Sequence, residues 1–116
     1  MPKLIVRITK MPQDPWILTM DSPPSLAYFT QEEIDTVMLP YFKEIRKIPG
    51  LINITETTDG NIKQVEYTFD TMENMSKSKP VMVDSDLAKQ RAEIIRLAMV
   101  NNNITTYTIE TLVNNE

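Results

Sequence analysis

Apolar residues recur along this chain with a period of two in some stretches and near 3.6 in others, and the switches mark the elements. Residues 3–9, Lys-Leu-Ile-Val-Arg-Ile-Thr, alternate, with Leu4, Val6 and Ile8 on one face and Ile5, Arg7 and Thr9 on the other. This predicts a first strand with helices over its Leu4 face. Across residues 30–48 the spacing becomes helical, through Ile34, Val37, Met38, Tyr41, Phe42, Ile45 and Ile48. Thr30-Gln31-Glu32-Glu33 supplies a capping box for that helix, with Phe29 and Ile34 as its hydrophobic staple. Pro40 lies inside the stripe, where it removes a backbone bond and costs about 3 kcal/mol. The stripe stays in phase across it, so a kink is expected and not a break.

The two glycines, Gly50 and Gly60, bracket the next strand. Gly50 is expected to end the helix in the left-handed region, and Asp59-Gly60 to form a type I′ hairpin turn. Before the turn, Ile52 and Ile54 alternate with Asn53, Thr55 and Thr57; after it, Val65, Tyr67 and Phe69 alternate with Gln64, Glu66, Thr68 and Asp70. Residues 71–83 read as a connector with a mobile middle, Ser76-Lys77-Ser78-Lys79-Pro80. Asp84 or Ser85 then caps a second helix to about Val100, its apolar side being Leu87, Ile94, Ile95, Leu97 and Ala98. Asn101-Asn102-Asn103 ends it, and Ile104 to Glu110 or Leu112 forms a last strand with Tyr107 and Ile109 facing in. Between the first strand and the first helix, Pro12, Pro15, Pro23 and Pro24 exclude a helix and confine any strand to an edge piece such as residues 16–20.

The order is β, long loop, α, β, β, α, β. With right-handed crossovers it predicts an α+β, ferredoxin-like fold: an antiparallel four-stranded sheet with both helices on one face, as a single domain over residues 1–116.

Composition narrows the chemistry. At 41% hydrophobic and 24% charged the 116 residues suit a folded domain with its own core. The net charge is −4 with no basic block, which argues against nucleic acid as a partner. Cysteine and histidine are both absent, removing disulfides, thiolate nucleophiles and histidine-based catalysis or metal ligation. There is no cofactor loop and no metal cluster, so neither cofactor nor metal is expected. Without a long apolar run or an export signal, no membrane is expected as a partner, and a cytoplasmic location is. Asn, Thr and Met are abundant and Gly scarce, which suggests an AT-rich genome such as a bacteriophage's.

Three local patterns carry candidate chemistry. Asp84-Ser85-Asp86 has the oxygen ligands of a hard-cation site, although a helix cap explains the same residues. Tyr67 and Phe69 sit two apart on a strand, as base-stacking aromatics do in RNA-recognition domains; with Glu66 and Asp70 beside them, core packing is expected. Pro2 becomes the amino terminus if Met1 is removed and runs straight into a strand. It resembles the opening of the N-terminal-proline tautomerases, a resemblance covering Pro2 and that strand. It implies a secondary amine acting as base or nucleophile.

The second sheet face should show Arg7, Thr9, Thr55, Thr57, Gln64, Glu66, Thr68, Thr106 and Thr108. Such a surface is not apolar enough for a dry dimer interface, so it is expected to be either wet or covered by the 10–29 segment laying Trp16, Met20 and Tyr28 across it. Arg7 is expected to pair with Glu66. By subtraction, the sequence points to a small non-enzymatic protein, an accessory or inhibitor such as bacteriophages encode, that binds another protein as a monomer or homodimer. The partner-binding residues are Met11, Trp16, Leu18, Met20 and Tyr28 of the proline-rich loop, and no catalytic residue is assigned. The alternative is a cofactor-independent small-molecule-binding protein or enzyme of the dimeric α/β-barrel type, a tautomerase included. Its pocket would lie between helices and sheet, with Arg7 and Tyr67 as ligand-binding residues.

Overall fold

The computed structural model describes residues 1–18, 24–105 and 107–115, so Thr19, Met20 and Thr106 of the expectations above lie outside the described residues. Strand β1 (Lys3–Thr9) is central. It pairs antiparallel with β3 (Ile62–Phe69) and with β4 (Thr108–Asn114), while β2 (Leu51–Asp59) pairs with β3, giving the order β2-β3-β1-β4. A long helix α1 over residues 31–46, a short α2 (Met72–Ser76) and α3 (Asp86–Asn101) complete the ferredoxin-like fold.

Helix α1 begins on the expected capping box: the Glu33 N–H donates to Thr30 Oγ1 at 3.1 Å and the Thr30 N–H to Glu33 Oε1 at 2.9 Å. All seven residues of the expected stripe are buried, six within the helix and Ile48 just past its end. Pro40 is accommodated by a widened turn. Ile34–Met38 form a π-helical segment, and the Leu39 N–H reaches the Ile34 carbonyl five residues back. Widening the turn ahead of the ring moves carbonyls that an α-helix would press against it and absorbs the missing donor.

Both glycines have positive φ, in turns other than those expected. Gly50 (φ +82°) does not cap the helix, which ends at Arg46; it follows Pro49 in a turn closed by Leu51 N–H to Ile48 O, the signature of a type II turn. A Cβ there would collide with Asp70 and Asn74. At the hairpin Asp59 pairs with Ile62, so the central residues are Gly60 (φ +60°) and Asn61, whose φ is not positive. That is a type II′ pattern, and the type I′ expectation is corrected.

Other differences have local causes. The β2 register shifts between Leu51 and Asn53, a bulge that turns Ile52 to solvent and leaves Leu51 and Ile54 facing in. The 71–83 connector is helical: Thr71 caps α2, Pro80–Asp84 form a second π turn, and Ser78 is buried with its hydroxyl on Met75 O. Ser85 caps α3 through the Ala88 N–H, but Leu97 faces solvent and Met99 takes the inward position. Asn103 adopts the left-handed conformation after that helix. Strand β4 starts at Thr108, later than expected, and Ile109 is exposed because β4 is an edge strand.

The core lies between the sheet's Leu4 face and the helices in two clusters that meet at Val6. One gathers Ile8, Phe29, Ile34, Met38, Ile95 and Tyr107; the other gathers Phe42, Ile45, Val65, Tyr67, Phe69 and Met75. No helix among the described residues is long and apolar enough to cross a membrane.

Candidate functional site

A cavity of about 640 Å³ remains between sheet and helices. Its floor is Leu4, Val6, Ile8, Val65 and Tyr67, and Tyr41, Met75, Met82 and Arg91 stand on the helical side. Ile109, Thr111 and Val113 of edge strand β4 form one lip, and Met72, Lys79 and Val83 line it as well. Ile109 and Val113 are exposed, as are Met72 and Val83, so the apolar lining continues to the surface.

The cavity wall includes a satisfied cation. Lys63 shares the parity of Val65, Tyr67 and Phe69, so its side chain points inward with theirs and is 5% exposed. Its ammonium donates to Leu18 O at 2.6 Å, lies 3.5 Å from Glu56 Oε1 and sits 4.8 Å from the centre of the Trp16 ring. The loop carrying Trp16 is itself fastened. The Tyr107 hydroxyl accepts from Ile17 N–H at 3.1 Å and donates to Pro15 O, while Asp14 accepts from Thr105 N–H at 3.0 Å. Trp16 meets Tyr107 edge to face at 5.4 Å.

Arg91 is a second cation in the wall, half-buried. It falls on the buried stripe of α3, in phase with Ala88, Ile95 and Ala98. Its guanidinium rests 4.6 Å from the Tyr41 ring centre and 5.6 Å from that of Phe42. Its Nε is buried without a hydrogen-bond partner. The Tyr41 hydroxyl is used, donating to Met82 O at 2.9 Å, and burial raises its pKa while the Arg91 charge lowers it. Burial, more than the neighbouring Tyr41, pushes the Tyr67 hydroxyl far above its usual range, so it stands ready as a donor.

The expected site residues are therefore divided. Tyr67 lines the cavity and Arg7 does not. Arg7 projects from the opposite sheet face, where it donates to Gln64 Oε1 at 3.2 Å and lies 3.9 Å from Glu110 Oε2; Gln64, not Arg7, contacts Glu66. Pro2 is buried beside β3, its carbonyl accepting from Phe69 N–H, and is not part of the cavity wall. Of the loop residues, Leu18 is in the cavity wall, Trp16 and Tyr28 are half-buried in the core on the helix side, and Met11 is exposed. Met20 lies outside the described residues. Trp16 and Tyr28 thus do not cover the open sheet face; its apolar patch is Ile5 beside Leu112. Tyr67 and Phe69 are packed in the core. No group of three or more metal-ligating side chains exists among the described residues.

Lys63, Glu56 and Arg91 are not among the site residues expected from the sequence. The signals were present as parity with Val65 and Ile54 on the strands, and as an i, i+3, i+7 relation to Ala88 and Ile95 on the helix.

No protein-family model matches the chain, and no curated protein does. Among solved structures it is similar to a dimeric ferredoxin-like protein from an uncultured marine organism, at 10% identity and a TM-score of 0.50, over 98% of this chain and 92% of that one. It is also similar to Rv0793 from Mycobacterium tuberculosis, at 10% identity and a TM-score of 0.47, over 100% of this chain and 95% of that one. At such identity the likeness concerns the fold alone.

Proposed function

We propose that this chain binds a small molecule in the cavity between its sheet and helices, as a cofactor-independent binding protein or enzyme. The observation that carries this reading is an apolar cavity of about 640 Å³ into which a few polar groups converge. The protein-binding reading, of bacteriophage type or otherwise, has less to support it: Trp16, its intended anchor, is engaged by Lys63 and Tyr107 inside the chain. A homodimer is part of the proposal, on the analogy of the dimeric ferredoxin-like neighbour. Ile5 and Leu112 would lie at the centre of the shared sheet face, with Arg7, Gln64 and Glu110 around them.

The test is titration with phenylnaphthylamine, an uncharged dye that fluoresces in apolar surroundings. Saturable binding of one dye per chain, lost in a cavity-filling Val65→Trp variant that still folds, is expected. A folded wild-type chain that binds no dye would overturn the reading. Light scattering should give twice the chain mass.

A further inference from the structure

We propose that the cavity's ligand is an amphipathic organic anion, its apolar body lying along Leu4, Val6 and Val65 and its negative group on the Arg91 guanidinium. This rests on the ligand-binding reading above and adds the ligand's charge and the residue that recognises it.

Charge sign is the first reason. Three cations, Lys63, Lys79 and Arg91, line the cavity against one carboxylate, Glu56, in a chain whose net charge is −4. A cleft whose sign opposes that of the whole protein concentrates the opposite ion. The second reason is that the cations are not equivalent. Lys63 is accounted for by Glu56, Leu18 O and the Trp16 ring. Arg91 has ring faces only: no carboxylate and no hydrogen-bond acceptor meets it among the described residues, and its Nε is buried. A guanidinium held between apolar walls, with donors to spare, is completed by a planar anion, which takes charge-assisted bonds from it. Tyr67, protonated at neutral pH, lines the same cavity as a neutral donor.

The remaining lining explains the body of the ligand. Met72, Met75 and Met82 are unbranched and polarisable, suited to an apolar group of irregular outline. A small inorganic anion would leave that surface unused.

Two dyes of one skeleton separate charge from bulk: anilinonaphthalene sulfonate, an anion, and the uncharged phenylnaphthylamine. The wild-type chain is expected to bind both. Arg91→Met should weaken the sulfonate by about tenfold or more, the worth of one or two charge-assisted bonds, and leave the neutral dye within about twofold. Arg91→Gln serves if the methionine variant does not fold. Loss of both dyes alike, loss of neither, or a wild-type chain that takes only the neutral dye would overturn the anion proposal and leave the cavity reading standing. A wild-type chain that takes neither dye overturns both.

Discussion

Lys63 and Arg91 line one cavity, yet the chain surrounds them differently. Lys63 reaches inward from a strand and meets a carboxylate, a carbonyl and an indole, all supplied by the fold. Arg91 reaches inward from a helix and meets two aromatic faces. Taking a cation out of water is costly unless its charge is answered and its donors are used. At Lys63 the protein answers it internally, and the result is a structural clasp that holds the Trp16 loop. At Arg91 the described residues supply two rings and no acceptor, which is the ground for the anion proposed there. A buried cation and a half-buried one thus carry opposite meanings, and what separates them is the inventory of their neighbours.

The largest effect that could break this comparison is expected at the clasp. Lys63→Met removes the ammonium that Glu56, the Leu18 carbonyl and the Trp16 ring share and should cost about 3–5 kcal/mol in urea unfolding. Adding Glu56→Gln should recover at least half of that loss; no recovery would mean that the pair is not the clasp. Next comes Tyr107→Phe, which deprives the Pro15 carbonyl and the Ile17 N–H of their partner. It should cost about 1–3 kcal/mol and expose Trp16, read as a red shift of its emission. Arg91→Met removes no partner from any carboxylate among the described residues, so its cost in urea unfolding should be about 1 kcal/mol or less, from the lost ring contacts. If Arg91→Met proved as destabilising as Lys63→Met, the two cations would be alike and the comparison would fail.

The smallest effect at neutral pH is that of Tyr67. Its folded pKa is raised, mainly by burial, above the ordinary value of 10.0. The folded state therefore holds a proton that the unfolded chain releases. The associated stability is fully present below pH 10.0 and is lost as pH rises above it, because unfolding then releases a proton. Tyrosinate absorbance should show one slow class of tyrosine that titrates only with unfolding, and Tyr67→Phe should flatten the alkaline limb of the stability curve.

Most of the architecture is local and so could be read from the chain. The seven-residue stripe of α1, the Thr30–Glu33 capping box, the Ser85 cap and the alternation of β1 and β3 all appear where the spacing places them. Each depends on neighbours within a few residues, where period and capping chemistry act. Topology followed because short connections and right-handed crossovers leave few arrangements for that order of elements.

Where expectation and structure part, a distant contact or a one-residue change of phase is responsible. The bulge near Ile52 puts Leu51 inward in place of Ile52, and no propensity in Leu-Ile-Asn-Ile announces it. The turn at Gly60 takes a different type because the strand register places Asp59 opposite Ile62. Arg7 and Tyr67 looked like joint anchors, but strand parity puts a sheet between them. The candidate site is harder still. Glu56, Lys63 and Arg91 lie on inward-facing positions by simple counting, so the sequence by itself determined that three charged side chains would be aimed toward the helix-side cavity. Which of them would be answered was decided only in tertiary structure, because the partners come from residues 16–18, from the hairpin and from two helices far apart in the chain. Period and parity aim a side chain; only packing determines what it meets.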